Sequence, residues 1–411
     1  MASKFSPPTQ DELSKPRYSA DTRAVHADDY MNTTNTDVAP PLHVATTYRY
    51  AEDPKVLRVV GDEDVHLTIP PNIYSRLAQP NTTRLESILS SLCHGHALTY
   101  SSGLSAFHAM LVYYRPRVIA ISDGYHGCHG VIAIMKKLYR LKVVSLWDEQ
   151  EWDEIDLREG DIIHVETPLN PSGEAINLLH FRELATKRGA LLTVDSTFGP
   201  PGLQDPFVQG ADCIMHSGTK YFGGHSDMLC GVLVVPPHKR DVWERMWKER
   251  MYLGSVMGNM EGWLGVRSLR TLELRVARQS ESTTKIVEWL STSLAGEGDD
   301  ALLIQKVVER IQHASLQKED MEWICKQMPG GYGPVFVIWM KSPKLARFLP
   351  SKLALFHHAT SLGGVESLIE WRRMSDLGVD ERVLRVSVGV ENWEDLREDL
   401  REGFSGVEGL V

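Results

Sequence analysis

Residues 194–231, VDSTFGPPGLQDPFVQGADCIMHSGTKYFGGHSDMLCG, hold an acid and an amine at the ends of two apolar runs. Asp195 closes the first run, and Lys220 follows the second within Ser217-Gly218-Thr219-Lys220. A lysine amine condenses with an aldehyde to give a Schiff base. A carboxylate paired with a pyridine nitrogen keeps such a ring protonated, so the ring can absorb electrons from a carbanion. Ser217 and Thr219 add hydroxyl donors suited to a phosphate. Upstream, Ser101-Ser102-Gly103-Leu104-Ser105 precedes the apolar stretch AFHAMLVYY. Backbone N–H groups at a helix start cradle a phosphate, and Gly103 lets the backbone approach closely. Tyr125, within Asp123-Gly124-Tyr125-His126-Gly127-Cys128-His129-Gly130, offers a flat apolar face and a titratable hydroxyl. Arg76 carries a planar fork of donors that matches a phosphate or carboxylate.

The elements that must position these residues follow from the apolar pattern. Short apolar runs at ALTYS, VIAIS (118–122), KVVSLW (142–147), IIHVE (162–166), ALLTV (190–194), CIMHS (213–217) and CGVLVV (230–235) alternate with helical stretches. That alternation predicts crossover units, an α/β fold and a mostly parallel central sheet. Open sheets of this kind bind ligands at the carboxyl ends of their strands, which is where the residues above fall. Residues 240–295 carry helical spacing, 296–300 read as a loop, and a smaller α+β C-terminal domain follows with strands at 335–340 and 383–390. The expected organisation is an arm over 1–78, a large domain over 79–270 and a small domain over 271–411.

With 411 residues, 42% apolar content and 24% charge, the chain reads as globular with two cores. A net charge of −10 argues against a general nucleic-acid surface. Five cysteines without a C-x-x-C suggest neither a disulfide framework nor a zinc site, and point to a reducing compartment. His126, Cys128 and His129 lack enough ligands for a closed zinc site, so no metal is expected. No apolar run is long enough to span a membrane, the first residues lack a secretory h-region, and the cytoplasm is the expected location.

These motifs, in this order, resemble the pyridoxal 5′-phosphate (PLP)-dependent Cys/Met metabolism (trans-sulfuration) family, which includes cystathionine γ-synthase and γ-lyase. The resemblance runs from about residue 24 to 400 and implies an aspartate-aminotransferase-like fold of type I with PLP as cofactor. It implies that Lys220 holds PLP covalently, that Asp195 pairs with the pyridine nitrogen, and that Gly103, Leu104, Ser217 and Thr219 hold the phosphate. Tyr74-Ser75-Arg76 is similar to the family's Y-x-R, so Tyr74 and Arg76 are expected to reach a neighbouring subunit's phosphate. Tyr125 is expected to stack on the ring and shuttle a proton. Glu166-Thr167-Pro168-Leu169-Asn170-Pro171 matches E-[ST]-P-x-N-P, which gives Asn170 to the PLP 3-oxygen. Ser361-Leu362-Gly363-Gly364-Val365-Glu366-Ser367 and Arg385-Val386-Ser387-Val388-Gly389-Val390-Glu391 match S-L-G-G-x-E-S and R-[LI]-S-V-G-x-E, with Arg385 on the substrate α-carboxylate. Shared sites imply a homodimer or homotetramer.

The chain departs from the family at informative places. His126-Gly127-Cys128 replaces the usual G-G-T or G-C-T, and Ser196-Thr197 replaces Asn-Thr. Thr360 stands where many relatives carry glutamate before S-L-G-G, and Ile369-Glu370-Trp371-Arg372-Arg373-Met374 replaces a histidine-proline segment. Thr360 and Ser361 are therefore expected to line a remodelled substrate pocket. The resemblance implies amino-acid chemistry through a vinylglycine-type intermediate. The leading expectation is γ-substitution on an O-acyl-L-homoserine, O-acetyl above others, with a second, nucleophilic substrate. As in a fungal branch of specialised metabolism, that nucleophile could be a carbon enolate of a β-keto ester or aldehyde in place of a thiol. The alternatives are a cystathionine or methionine γ-lyase releasing an α-keto acid and ammonia, and a silent PLP-holding subunit.

Overall fold

The computed structural model describes residues 18–31, 37–57 and 72–410; parts of the expected arm (1–17, 32–36 and 58–71) and residue 411 lie outside them. In chain order the strands are β1 (His96–Tyr100), β2 (Val118–Ile121), β3 (Lys142–Ser145), β4 (Ile162–Glu166), β5 (Leu191–Asp195), β6 (Cys213–Ser217), β7 (Gly231–Val235), β8 (Val308–Gln312), β9 (Val335–Met340), β10 (His357–His358), β11 (Leu368–Trp371) and β12 (Val383–Ser387). The chain divides into two compact units. Met1–Arg115, Asp212–Gly223 and Asp227–Leu272 make the first, and Pro116–Ala211, Gly224–Ser226 and Glu273–Val411 make the second.

In the first unit β7 runs antiparallel to both β1 and β6, with Gly231 opposite Tyr100 and Ser217. Every residue of β7 is buried, which explains its unbroken apolar sequence GVLVV. The helix Gly103–Tyr114 packs on β6 and β7, and the helices Pro80–Leu92 and Asn259–Leu269 pack on each other. Pro80 suits the first helical turn, where its missing N–H is not needed. Buried Asp28 pins the N-terminal segment by pairing with Arg84 at 3.1 Å and Arg270 at 2.8 Å.

In the second unit β3, β2, β4 and β5 form parallel pairs in that order. The helices His126–Tyr139, Glu149–Glu154 and Leu178–Arg188 make the crossovers that parallel pairing requires. The last of these starts at Asn177, whose side chain accepts the N–H of His180 at 3.2 Å, and ends at Gly189 with φ of +67°. A five-stranded sheet ordered β10-β11-β12-β9-β8 follows, antiparallel except for the β10–β11 pair. Its apolar face joins Phe336, Ile338, Ile369, Leu384 and Val386 to Leu396 and Phe404 of the final helix, Trp393–Glu408. Each such side chain contributes about 1.5–3 kcal/mol on burial.

The second apolar strand expected in this domain stops at Ser387 rather than at 390, because Gly389 and Glu391 turn away to bond with Ser367. Strands β8, β10 and β11 were not expected: β8 is polar and partly exposed, β10 has two residues, and β11 carries a buried glutamate that breaks its apolar run.

Candidate active site

The functional residues of the first unit lie where three segments meet. Strand β6 delivers Ser217 to its carboxyl end, and the Lys220 N–H turns back to the Ser217 carbonyl at 3.0 Å. Ser102 caps the helix that begins at Gly103, its hydroxyl accepting the Ser105 N–H at 3.1 Å. The amides of Gly103 and Leu104 remain without a hydrogen-bond partner among the described residues, as the first N–H groups of a helix do. A Cβ on Gly103 would stand 3.0 Å from Ser217 Oγ, and one on Gly231 would collide with the Ser102 carbonyl. Only glycines let the three segments close up this far. Thr219 is occupied locally: its hydroxyl donates to the Cys230 carbonyl at 3.2 Å and accepts the Cys230 N–H at 3.0 Å. Tyr74, 42% exposed, forms an isolated bridge with Thr47, and the Arg76 guanidinium lies 5.5 Å from the Tyr74 ring centroid.

The second unit gathers Tyr125, Asn170, Asp195 and Arg385. Asp195 ends β5 directly opposite Glu166 at the end of β4. Asp195 Oδ1 accepts the Thr197 hydroxyl at 2.5 Å and the Thr197 N–H at 3.0 Å, and Oδ2 takes no hydrogen bond among the described residues. Burial raises the Asp195 carboxyl above its usual range, against the pull of the Thr197 donors. Burial, and then the neighbouring Asp195 charge, push Glu166 up as well. Two carboxyls side by side in a dry site call for a cation. A protonated ring nitrogen at the open Oδ2 would supply one.

Glu166 opens the segment Glu166–Pro171 and also braces its neighbours. Its Oε2 accepts the Tyr125 N–H at 2.7 Å, and its Oε1 accepts the Asn170 N–H at 3.1 Å. One carboxylate thus ties together the two loops that carry Tyr125 and Asn170. The Tyr125 hydroxyl and the Asn170 side-chain N–H group have no partner among the described residues. Partial burial raises the Tyr125 hydroxyl above its ordinary value, with nearby Cys128 adding to the effect. His129 faces the carbonyls of Ser122 and Asp123 at 3.0 Å each.

Arg385 is buried at the centre of its sheet. Its Nη1 donates to Asn170 Oδ1 at 3.1 Å, and its Nη2 donates to the Ser361 carbonyl at 2.8 Å and to Glu370 Oε2 at 2.6 Å. Ser361 reaches Arg385 through its backbone and has a φ of +77°. Thr360, just before it, is exposed. The two long C-terminal motifs interlock: Ser387 Oγ accepts the Gly363 N–H at 3.1 Å, and Glu391 accepts the N–H and hydroxyl of Ser367 at 2.7 and 2.9 Å. These contacts tie the segment that carries Ser361 to the strand that carries Arg385. Glu370 and Arg372 lie in the replaced segment 369–374, and the pairing that sets Glu370 opposite Arg385 becomes visible only in the folded sheet.

A phosphorylated pyridine aldehyde fits both sets of residues, each in its own unit. The first offers open amides at a helix start beside a serine hydroxyl and a lysine; the second offers an open buried carboxylate oxygen and an open amide donor.

Comparison with known proteins agrees. The model of the family described as "Cys/Met metabolism PLP-dependent enzyme" matches residues 21–405. The cystathionine gamma-lyase of Bacillus subtilis is 30% identical, over 90% of this chain and 95% of its own length. The cystathionine gamma-synthase of Escherichia coli is 31% identical, over 89% of this chain and 93% of its own. A crystal structure of cystathionine gamma synthase from Xanthomonas oryzae pv. oryzae in complex with aminoacrylate and cysteine is similar with a TM-score of 0.82 and 26% identity, over 96% of this chain and 100% of that one.

Proposed function

The chain belongs to the Cys/Met metabolism PLP-dependent enzymes, and on that premise we propose that it catalyses γ-substitution on an O-acyl-L-homoserine, above all O-acetyl-L-homoserine. Its fold is that of the family's α/β enzymes, and PLP is its cofactor. Family members act on amino acids, and relatives named as both γ-synthases and γ-lyases match it.

PLP, when bound, supplies an electron sink for a carbanion at the amino acid's α-carbon. In this reading Gly103 and Leu104 hold its phosphate through their amides, with the Ser217 hydroxyl beside them. Thr219 contributes there mainly by fixing the turn, since its proton already goes to Cys230. Tyr74 and Arg76 reach the same group in a neighbouring copy, as part of an arm over 1–78, so the enzyme works as a homodimer or homotetramer. Asp195 Oδ2 would accept a hydrogen bond from the protonated ring nitrogen, and the Asn170 amide would donate to the ring oxygen. The Lys220 amine would remove a proton from the α-carbon, return it to the bound substrate–cofactor pair and, as a free amine again, remove one from the β-carbon. Tyr125 stacks on the ring and gives a proton to the departing γ-group. Its raised hydroxyl range keeps that proton in place at neutral pH. Arg385 holds the α-carboxylate through its fork of donors.

Substitution rather than elimination is supported by Thr360, a neutral exposed residue where many relatives carry an anion. Without that anion the distal pocket has no counter-charge for the second amino group of cystathionine. The altered loop at His126-Gly127-Cys128 supports a nucleophile other than a thiol, such as the enolate of a β-keto ester or an aldehyde. That none of the five cysteines is in a disulfide among the described residues supports a cytoplasmic site of action.

Mass spectrometry of enzyme incubated with PLP and O-acetyl-L-homoserine tests the reading, with cysteine, sulfide or an acetoacetate ester added in turn. A new amino acid with an extended carbon chain is expected from the ester. A thioether alone removes the carbon nucleophile, and 2-oxobutanoate in every mixture makes the enzyme a lyase.

A further inference from the structure

The start of the helix His126–Tyr139 and the loop leading into it carry Asp123, Tyr125, His126, Cys128 and His129. Only Tyr125 has a part in the γ-substitution described above. His129 Nε2 faces the carbonyls of Ser122 and Asp123 at 3.0 Å each. Cys128 is buried, and burial, with Asp195 and Glu166 near it, pushes its thiol well up. Asp123 is a carboxylate, a weaker base than an imidazole. His126 remains. It is exposed, and its ring nitrogens take no hydrogen bond among the described residues. Its ring lies against that of Tyr125, with centroids 4.9 Å apart and planes at 58°. The bond from the Tyr125 N–H to Glu166 holds the backbone that leads into both rings.

A carbon nucleophile adds a proton to be accounted for. Lys220 is assigned to the protons of the α- and β-carbons, and Tyr125 gives its own to the departing group. The C–H proton of a β-keto ester or an aldehyde needs a further acceptor, and an unprotonated imidazole is available as one near neutral pH. His126 stands in the loop where this chain departs from the family pattern.

We propose that His126 is the catalytic base for the second substrate, taking the C–H proton of a carbon nucleophile as its enolate forms. The inference rests on the reading that the second substrate is a carbon acid and that Tyr125 marks the reacting face. As the C–H bond breaks, its electron pair passes into the enolate and its proton to a ring nitrogen of His126. The enolate carbon then bonds to the γ-carbon, whose bond to the acyl oxygen has broken with the electron pair leaving on the carboxylate. His126 gains one proton for the one that Tyr125 gives to that carboxylate. Both rings are exposed, so water returns them to their starting states. The products are one extended amino acid and one carboxylic acid.

Holoenzyme carrying His126→Gly or His126→Gln, given O-acetyl-L-homoserine and ethyl acetoacetate, tests this. Formation of the carbon-extended amino acid is expected to fall about a hundredfold in both variants, the scale of one general base. Added imidazole should restore it in His126→Gly, where the ring leaves a space, and not in His126→Gln. In D2O the wild-type enzyme should also exchange the ester's C–H for deuterium faster than either variant. Unchanged product formation in both variants overturns the proposal. So does a loss that imidazole fails to restore in His126→Gly, above all if acetate release from O-acetyl-L-homoserine alone falls as far, because the ring then serves only to support Tyr125. If the wild-type enzyme itself makes no carbon-extended amino acid, the reading of a carbon nucleophile is at fault, and the proposal falls with it.

Discussion

Glu166 illustrates how one side chain can govern residues it never resembles in function. Its two oxygens hold the backbone of Tyr125 and of Asn170, so the ring face and the amide donor are set by one buried carboxylate. In Glu166→Gln one of those N–H groups meets an NH2 donor instead of an acceptor. We expect kcat to fall about tenfold, the effect of one lost buried hydrogen bond, with the protein still folded. An unchanged kcat would show that the two loops hold themselves. Asp195→Asn should cost more, about a hundredfold or beyond, because a charge-assisted bond to the ring nitrogen is lost. Cofactor affinity measured alongside separates that loss from simple failure to load. At this scale the sequence singles out residues whose types such chemistry needs: Lys220, Asp195, Tyr125, Asn170 and Arg385 all belong to short motifs. Glu166, Glu370 and Arg372 were not picked out, because their importance lies in which distant residues they touch.

Strands and the turns between them decide how closely the first unit's segments approach. Gly103 and Gly231 both sit at such approaches, but they face different neighbours. A methyl at Gly103 meets the Ser217 side chain at 3.0 and 3.1 Å, near the edge of tolerance, whereas one at Gly231 meets the Ser102 backbone carbonyl. Gly103→Ala is therefore expected to weaken PLP binding about tenfold, by blocking the open amides, with little change in the melting temperature of the cofactor-free protein. Gly231→Ala should instead destabilise by about 1–3 kcal/mol through overpacking. Melting curves and PLP titrations of both variants check the contrast, and identical behaviour would refute it. The first seven strands were legible because most are buried, which leaves short runs dominated by apolar residues, as in β2 (VIAI) and β7 (GVLVV). Strand β8 (VERIQ) was not, since its residues are partly exposed and its arginine stacks over Trp339 at 4.1 Å. Strand β11 (LIEW) hid for another reason: its glutamate is buried in an ion group that periodicity cannot reveal.

For the molecule as a whole, shared sites predict complementation. An Arg76→Ala chain mixed with a Lys220→Ala chain should regain activity above either alone, and none at any ratio would place Arg76 at its own subunit's site. No helix among the described residues is long and apolar enough to cross a membrane. Stability should respond to pH on both sides. Burial holds His313 down at about 4 and His164 at about 3, below the ordinary 6.5. The unfolded chain therefore binds more protons below pH 6.5, and stability is lost as pH falls from there through those folded values. Glu166 and Asp195 act in the opposite sense. Their raised carboxyls bind protons more tightly when folded, so stability is lost as pH rises from the ordinary carboxyl range through the raised ones. Urea unfolding of the cofactor-free protein should thus show a decline as pH rises from the ordinary carboxyl range to about 8, shallower in Glu166→Gln; a parallel decline would exclude that residue as its source. A last consequence concerns the order of events on the ribosome. Strand β1 pairs with β7, His96 against Val235, and the parallel strands β2 to β5 are all made in between. At ordinary elongation rates the nascent β1 waits on the order of ten seconds for its neighbour. The parallel sheet encoded in the middle of the message has the means to assemble before the unit that begins the chain, and translation stalled beyond residue 211 should yield protease protection there while β1 is still cut.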